Sequence, residues 1–247
     1  MKERVQKLIA ERGVCSRRAA EKLIAEGRVR VNGRKIELGA QATQNDLITI
    51  DGKRIAGKRQ SPVYLLMNKP RGYVTTASDE KGRKTVMELL ENVSERVYPV
   101  GRLDMASEGL LLMTNDGRLA KVMTHPSSGV KKEYQVTVLG NVEKAMPIMQ
   151  AGVTLDDGFH TQPAEVRVIK TIDEKTVLSV AITEGHNREV RKMCEAAGLY
   201  VRRLVRVAIG KLKLENIPVG TCRPATASEL KYLTSLTETA KEEAALK

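Results

Sequence analysis

The chain has 247 residues, with 42 Lys or Arg against 30 Asp or Glu, a formal net charge of +12 at pH 7, and 41% hydrophobic residues. That length suits one large domain or a catalytic domain with a small appendage, and the excess of cations points to a polyanionic partner, because each Lys or Arg set on a phosphate releases a condensed counterion. No apolar run approaches the ~18 residues of a membrane span, no signal-peptide core lies near the N-terminus, and no G-x-x-x-x-G-K-[ST] or G-x-G-x-x-G segment offers a nucleotide cradle.

Cys15, Cys194 and Cys222 are as widely scattered as His125, His160 and His186. Neither set has metal-ligand spacing, so reduced thiols, a cytoplasmic location and no structural metal are expected. The charge is clustered: residues 1–60 carry fifteen basic and seven acidic side chains, residues 184–213 eight and three, and the remainder is close to neutral.

In chain order, Val5, Leu8 and Ile9 recur at helical spacing and predict a short helix that Gly13 stops. Ser16 then reads as the N-cap of a second helix, Arg17 to Glu26, with Ala19, Ala20, Leu23 and Ile24 inward, Arg17, Arg18 and Lys22 outward, and Gly27 after its end. Val29-Arg30-Val31, an Asn32-Gly33 type I′ turn and Lys35–Leu38 predict a hairpin, with Leu47–Ile50 as a further strand. Residues 51–61 lose periodicity, gain Gly and charge, and read as a linker.

Pro62 opens a larger domain: a strand over 63–67, a turn at Asn68–Tyr73, a helix around Thr85–Glu91, and a strand at Val97–Val100. The stretch Gly101-Arg102-Leu103-Asp104-Met105-Ala106-Ser107-Glu108-Gly109 then places a carboxylate in an irregular segment before the apolar strand Leu110–Thr114. Taken alone, such an Asp caps a helix, braces a turn or faces water. Asn115-Asp116-Gly117 leads into a helix near Arg118–Thr124. Glu133–Leu139, Ala164–Lys170 and Thr176–Thr183 read as strands, and Glu143–Gln150 as a helix. Asn187 is the expected N-cap of a helix running to Ala197, Tyr200–Ile209 a strand carrying Arg202, Arg203 and Arg206, and Thr226–Glu229 a capping box before the last helix. Residues 237–247 read as a frayed tail. Runs of strands broken by occasional helices predict an α+β fold: an αα-hairpin domain over residues 1–60, then a mixed, mainly antiparallel sheet with flanking helices over 61–240.

The segment S-R-R-A-A-E-K-L-I-A-E-G-R-V-R-V-N-G, with the order of elements around it, resembles the S-four-type RNA-binding domain over residues 3–50. The resemblance implies that Arg17, Arg18 and Lys22 contact RNA phosphates; no stacking aromatic lies in this module, which suits backbone and shape recognition. The Asp104 stretch resembles the motif G-R-L-D-x-x-T-x-G-L-L-L-L-T-N-D-G of the RsuA/RluB family of pseudouridine synthases, with Ser107 and Met113 as conservative departures. Asn68–Gly72 is similar to that family's N-K-P-x-G turn, Lys132–Val136 to its K-x-Y-x-V strand, and Glu184–Met193 to its E-G-R-N-R-Q-V-R-R-M helix start, from which His186, Glu189 and Lys192 depart.

The resemblance implies an isomerase that converts a ribosomal RNA uridine to pseudouridine without a cofactor. It implies Asp104 as the essential carboxylate, either nucleophile at C1′ or base at C2′, and Arg191 as its ion-pair partner; the bare sequence offers instead an i,i+4 pair of Arg191 with Glu195. Tyr134 is implied to stack on the uracil or assist proton loss at C5, against an ordinary core aromatic. Arg102 either meets a flanking phosphate or forms a structural salt bridge, and the resemblance implies Arg188 as a further RNA contact. N-R-E-V-R looks more like the RluB branch, which acts on large-subunit (23S) RNA, than the RsuA branch, which acts on the small subunit (16S). A monomer is expected. The rivals are a non-catalytic ribosome-assembly protein, opposed by the joint presence of Asp104, Tyr134 and Arg191, and an RNA methyltransferase, which would need a glycine-rich cofactor loop.

Overall fold

The computed structural model describes residues 2–55 and 60–245. They divide into two compact units, residues 2–63 (with Val93–Arg96) and residues 64–245 (without that segment).

The first unit runs β1 (Glu3–Arg4), α1 (Val5–Glu11), α2 (Arg17–Ala25), β2 (Val29–Val31), β3 (Arg34–Lys35), β4 (Gln41–Ala42), β5 (Ile48–Ile50) and β6 (Lys53–Arg54). Ser16 Oγ accepts from the Ala19 N–H at 3.1 Å and caps α2, satisfying one of the orphan donors of its first turn. Val5, Leu8, Ile9, Ala20, Ile24, Val29 and Ile48 form its core. Ala19 is exposed, unlike the expectation, because the buried stripe runs through Ala20 and Ile24. The Asn32-Gly33 turn has both residues at positive φ, 50° and 80°, as type I′ geometry requires.

Two expectations change here. The return strand stops at Lys35, and residues 51–55 are not linker. Asp51-Gly52 makes a second turn with both residues at positive φ, joining β5 to β6. Its Asp51 carboxylate takes two hydrogen bonds from Arg28, at 2.8 and 2.6 Å. Of the rest of the expected linker, residues 56–59 lie outside the described residues.

The second unit contains β7 (Tyr64–Lys69), β8 (Tyr98–Val100), β9 (Glu108–Thr114), α3 (Gly117–Thr124), β10 (Lys132–Leu139), α4 (Val142–Ala151), β11 (Glu165–Ile172), β12 (Lys175–Ile182), α5 (Glu189–Ala196), β13 (Tyr200–Ile209), β14 (Leu212–Lys213), β15 (Cys222–Pro224) and α6 (Ala227–Ala245). Its sheet has the order β11-β12-β10-β13-β9-β7-β15, with β8 added to β9 and β14 to β13. All pairings are antiparallel except β13 with β9. This is the mixed, mainly antiparallel α+β sheet that the sequence pattern predicts.

One core packs α4 and α5 on β10–β13, through Val136, Met149, Leu178, Val190 and Met193. Another packs α3 and α6 on β7 and β9, through Leu66, Leu110, Leu112, Leu119 and Leu233. Strand β9 is buried along its whole length, which explains its unbroken apolar run: it is covered on both faces. No helix among the described residues is long and apolar enough to cross a membrane.

Asn68 and Lys69 belong to β7 rather than to the expected turn. Pro70, lacking an N–H, ends the strand two residues later than the apolar run implies. The segment read as a helix around Thr85–Glu91 is a single 3₁₀ turn, Val86–Leu89. The expected frayed tail instead continues α6 to Ala245, consistent with a run rich in Ala, Glu and Lys, which are strong helix formers; residues 246–247 lie outside the described residues.

The lone parallel junction is held by two register pairs, Val205 with Glu108 and Arg206 with Gly109. Gly109 sits at φ +105°, where a Cβ would press on the Arg206 carbonyl oxygen and lie 2.8 Å from its backbone nitrogen. Only a residue without a side chain lets the two strands close there. Gly109→Ala should therefore destabilise the fold by ~2 kcal/mol or more, combining positive-φ strain with backbone displacement. Gly158→Ala, at φ +83° but with open space around it, should cost about 1 kcal/mol. Urea unfolding of both variants checks the difference, and equal losses would contradict the close-approach argument.

Candidate active site

A cavity of about 240 Å³ opens beside the parallel junction of β9 and β13. Its apolar wall includes Leu103, Met123, Ile182, Val190, Leu204 and Ile209, and its polar wall Arg102, Asp104, Lys132, Tyr134, Glu184, Arg188, Glu189 and Arg206. A concavity that combines an apolar wall with convergent charged groups is the usual form of a small-ligand site.

Asp104 sits in the irregular segment that leads into β9. It is half-buried, and among the described residues no hydrogen bond or ion pair is made to its carboxylate. The loop around it is fixed instead by its backbone. Ser107 N donates to Asp104 O at 3.0 Å, and Gly72 N to Met105 O at 2.8 Å. Thr75 Oγ1 donates to Leu103 O at 2.7 Å.

The strongest tie is Lys69, whose Nζ donates to the carbonyls of Pro70 (3.0 Å), Asp104 (3.1 Å) and Ser107 (2.9 Å). Lys69 is fully buried. Burial pushes its ammonium down to about 8, the nearby Asp104 and Glu108 charges oppose that shift, and Arg206 adds to it. Three carbonyl acceptors saturate the three donors of an ammonium, which makes a buried lysine tolerable.

Arg191 projects from α5 to the same loop. Its Nη2 donates to Ala106 O at 3.0 Å and to Ser107 Oγ at 3.5 Å. The contact expected with the Asp104 carboxylate is thus made to the loop backbone, and no ion pair with Glu195 is formed either. Burial and the neighbouring Arg188 lower the Arg191 pKa, while the Asp104 charge opposes them. Arg191 therefore feels Asp104 electrostatically without touching it.

Tyr134 lies on β10, half-buried and lining the cavity, paired with Val180 of β12 on one side and Arg206 of β13 on the other. Arg102 and Arg188 are both exposed and both line the cavity. Arg17, Arg18 and Lys22 lie exposed on α2 of the first unit, and Lys22 stands 4.0 Å from Glu26.

The start of α5 differs from the expected Asn187 cap. Arg188 is the capping residue, held left-handed at φ 55°, and the Glu189 side chain folds back so that His186 N donates to its Oε2 at 2.7 Å. A bulky residue with positive φ is costly away from functional regions, so this strain marks the rim of the cavity. His186 and Lys192 brace a neighbouring loop. The His186 ring stacks on Phe159 at 4.2 Å, its Nε2 is 2.8 Å from Asp157 Oδ2, and Lys192 Nζ reaches Asp156 and Asp157 at 2.6 Å. These bonds hold the Asp157 carboxyl well below the usual range.

Four site residues escaped the sequence reading: Lys69, Lys132, Glu189 and Arg206. For Arg206 a signal existed, since it stands two residues after the buried Leu204 and so on the same strand face. For Lys69 no local pattern separates a buried lysine from an exposed one at the end of a strand.

A family model described as RNA pseudouridylate synthase matches residues 63–196, and one described as S4 domain matches residues 3–48. Ribosomal large subunit pseudouridine synthase B of Bacillus subtilis (strain 168) is 41% identical over 97% of this chain and 98% of its own. An uncharacterized RNA pseudouridine synthase of Aquifex aeolicus (strain VF5) is 40% identical over 94% of each. A crystal structure of a pseudouridylate synthase superposes with a TM-score of 0.66 at 29% identity, covering 93% of this chain and 99% of the other.

Glu189 gives the site a pH signature. It is buried, its Oε1 has no hydrogen-bond partner, and burial raises its pKa to about 7, with the nearby Glu184 adding to the shift and the His186 N–H opposing it. A carboxyl raised from the usual 4.5 to about 7 holds its proton in the folded state and loses it in the unfolded one. Its contribution is therefore complete below pH 4.5 and is lost as pH rises through 7. Glu189→Gln, which keeps the shape without the ionisation, should raise the melting temperature at pH 8 relative to the parent, by roughly 2–4 °C for each kcal/mol of penalty removed, and the gap should close at pH 4. Melting curves across that range check it; a gap independent of pH would contradict the assignment.

Proposed function

Because the chain belongs to the RNA pseudouridylate synthase family, we propose that it acts on a uridine of large-subunit ribosomal RNA, with Asp104 as the reacting carboxylate. The first half of that statement, conversion of uridine to pseudouridine, is the family's reaction. The choice of large-subunit RNA draws on the B. subtilis relative, whose name specifies that subunit and whose length this chain spans almost completely.

The observation that carries the assignment of Asp104 is its setting. It is a half-buried carboxylate without a partner of its own, on a loop whose backbone is pinned by Lys69, Thr75 and Arg191. A carboxylate fixed by its backbone and free at its oxygens is prepared to react rather than to brace.

The reaction needs the N1–C1′ bond broken, the uracil turned within the pocket, and C5 joined to C1′ with loss of the C5 proton. Two routes use Asp104. In one, its oxygen attacks C1′ and the bonding pair leaves with the uracil; in the other, it removes the C2′ proton as the same pair leaves, giving a C1′–C2′ double bond that is later reprotonated. Either way the nucleotide has to leave its helix to reach a cavity of this depth. Tyr134, on the wall between β12 and β13, presents a flat apolar face to the base and a hydroxyl near its edge. Exposed Arg102 and Arg188 at the mouth suit the flanking phosphates, and the basic face of α2 suits other phosphates of the RNA. The enzyme works where ribosomal RNA is made, which in a bacterial cell is the cytoplasm.

Asp104→Asn should abolish pseudouridine formation, by a factor of ~10⁴ or more, while leaving the melting temperature and RNA affinity within experimental scatter, because the amide is isosteric but neither attacks C1′ nor accepts the C2′ proton. Single-turnover assays on large-subunit and small-subunit RNA transcripts would show conversion of the large-subunit transcript alone by the parent and of neither by the variant. An Asp104→Asn rate within tenfold of the parent would remove Asp104 from the chemistry, and conversion confined to the small-subunit transcript would overturn the choice of substrate.

A further inference from the structure

Arg206 lines the cavity yet is only 5% exposed. Its backbone forms half of the parallel junction, opposite Gly109. Its Nε donates to Leu110 O at 2.8 Å, which fixes the plane of the guanidinium, while Nη2 is buried with no hydrogen-bond partner. A buried guanidinium nitrogen with no acceptor costs on the order of a charged hydrogen bond, so its retention asks for an acceptor that the folded chain does not provide.

The neighbouring carboxylates do not fill that need. Glu108 is taken by Arg203, with contacts of 3.2, 3.2 and 2.7 Å, and burial favours the neutral form of Glu189. The other cations nearby deepen the imbalance: Lys69 and Lys132 are both shifted down by burial and further by Arg206 itself. The Asp104 carboxylate acts on Lys69 through space but makes no hydrogen bond to Arg206, so the buried Nη2 donor stays unmatched.

We propose that Arg206 takes up the negative charge of the uracil as the N1–C1′ bond breaks, its guanidinium donating to a uracil carbonyl oxygen; this rests on the synthase reading above. When that bond breaks, its electron pair passes into the ring and spreads over N1 and the carbonyl oxygens, whichever route Asp104 follows. The detached base then carries a full negative charge inside the cavity, until C5 bonds to C1′ and the pair is returned.

A fixed donor aimed at charge that exists only after bond cleavage accelerates the step without tightening substrate binding. Depth argues for the base over a phosphate. A flipped nucleotide enters base first, leaving its phosphates at the mouth beside the exposed Arg102 and Arg188, whereas Arg206 stands in the wall next to Tyr134 on the neighbouring strand.

The test compares parent, Arg206→Met and Arg206→Lys enzymes on an RNA containing the target uridine and on the same RNA with 5-fluorouridine in its place. Fluorine withdraws charge from the ring and makes it a better leaving group, so a residue that stabilises the departing anion matters less with it. Single-turnover consumption of the target nucleotide, RNA Kd and melting temperature are read together. For uridine, Arg206→Met should slow consumption about 100-fold or more, with Kd within about threefold, and Arg206→Lys should recover part of the loss. With 5-fluorouridine the deficit of each variant should shrink at least about fivefold.

Equal deficits on the two targets in either variant, or a loss confined to Kd, would overturn the assignment. Should Arg206→Met fold poorly, the comparison of targets within Arg206→Lys decides the matter alone. A parent that leaves uridine unchanged would overturn the synthase reading and this assignment with it, whereas an active parent with equal deficits overturns Arg206 only.

Discussion

One buried ammonium holds the site together. Lys69 leaves the end of β7, reaches the segment that precedes β9, and binds three backbone carbonyls, two of them in the Asp104 loop, at Asp104 and Ser107. An irregular segment would otherwise carry its carbonyls unpaired into the interior, at a cost of ~1–3 kcal/mol each. Lys69 turns that liability into geometry. Because its bonds go to the backbone, the Asp104 carboxylate is positioned without being neutralised, and Arg191 works in the same way from α5 through the Ala106 carbonyl.

The second constraint is topological. Two antiparallel halves of the sheet meet at the parallel pair β9 and β13, and only a glycine at position 109 lets them approach. The junction brings the Asp104 loop alongside β13, and β10 adds Tyr134 from the other side. The helices do not supply the chemistry; α4 and α5 bury Val190, Met193 and Cys194 against β10–β13 and so stiffen the wall on which Tyr134 and Arg206 stand. Electrostatically, Lys132 and Arg206 line the cavity and Lys69 holds the loop beside it, while Glu108 is paired, Glu189 is driven toward neutrality and the Asp104 carboxylate is left without a partner among the described residues. Such a field favours a charge that appears during reaction over one present before it.

The fold was legible wherever side-chain periodicity reports burial directly. Strand β13 was read to its residue limits, Ser16 was read as a cap because its hydroxyl answers a local donor, and Asp104 stood out through a motif that spans a whole loop. The failures share a cause. The Asp51-Gly52 hairpin was masked by surrounding Lys and Arg, which face water on β6 but read as linker. The start of α5 was misplaced because Arg188 adopts a left-handed conformation that no propensity favours, held there by the Glu189 side chain on His186 N. Lys69 was read in a turn because nothing within ten residues indicates that two of its three partners are 35 and 38 positions away. Contacts of long sequence separation leave no local periodic trace, and the supporting residues of this site are of that kind.

The central claim is that this chain modifies a uridine of large-subunit ribosomal RNA by a reaction that requires the Asp104 carboxylate. Mapping pseudouridines in both ribosomal RNAs from cells lacking the protein, and again after restoring either the parent or the Asp104→Asn chain, addresses it most directly. The account predicts that a large-subunit pseudouridine disappears, returns with the parent and stays absent with the variant. An unchanged pseudouridine pattern in cells lacking the protein, or its restoration by the variant, would contradict it.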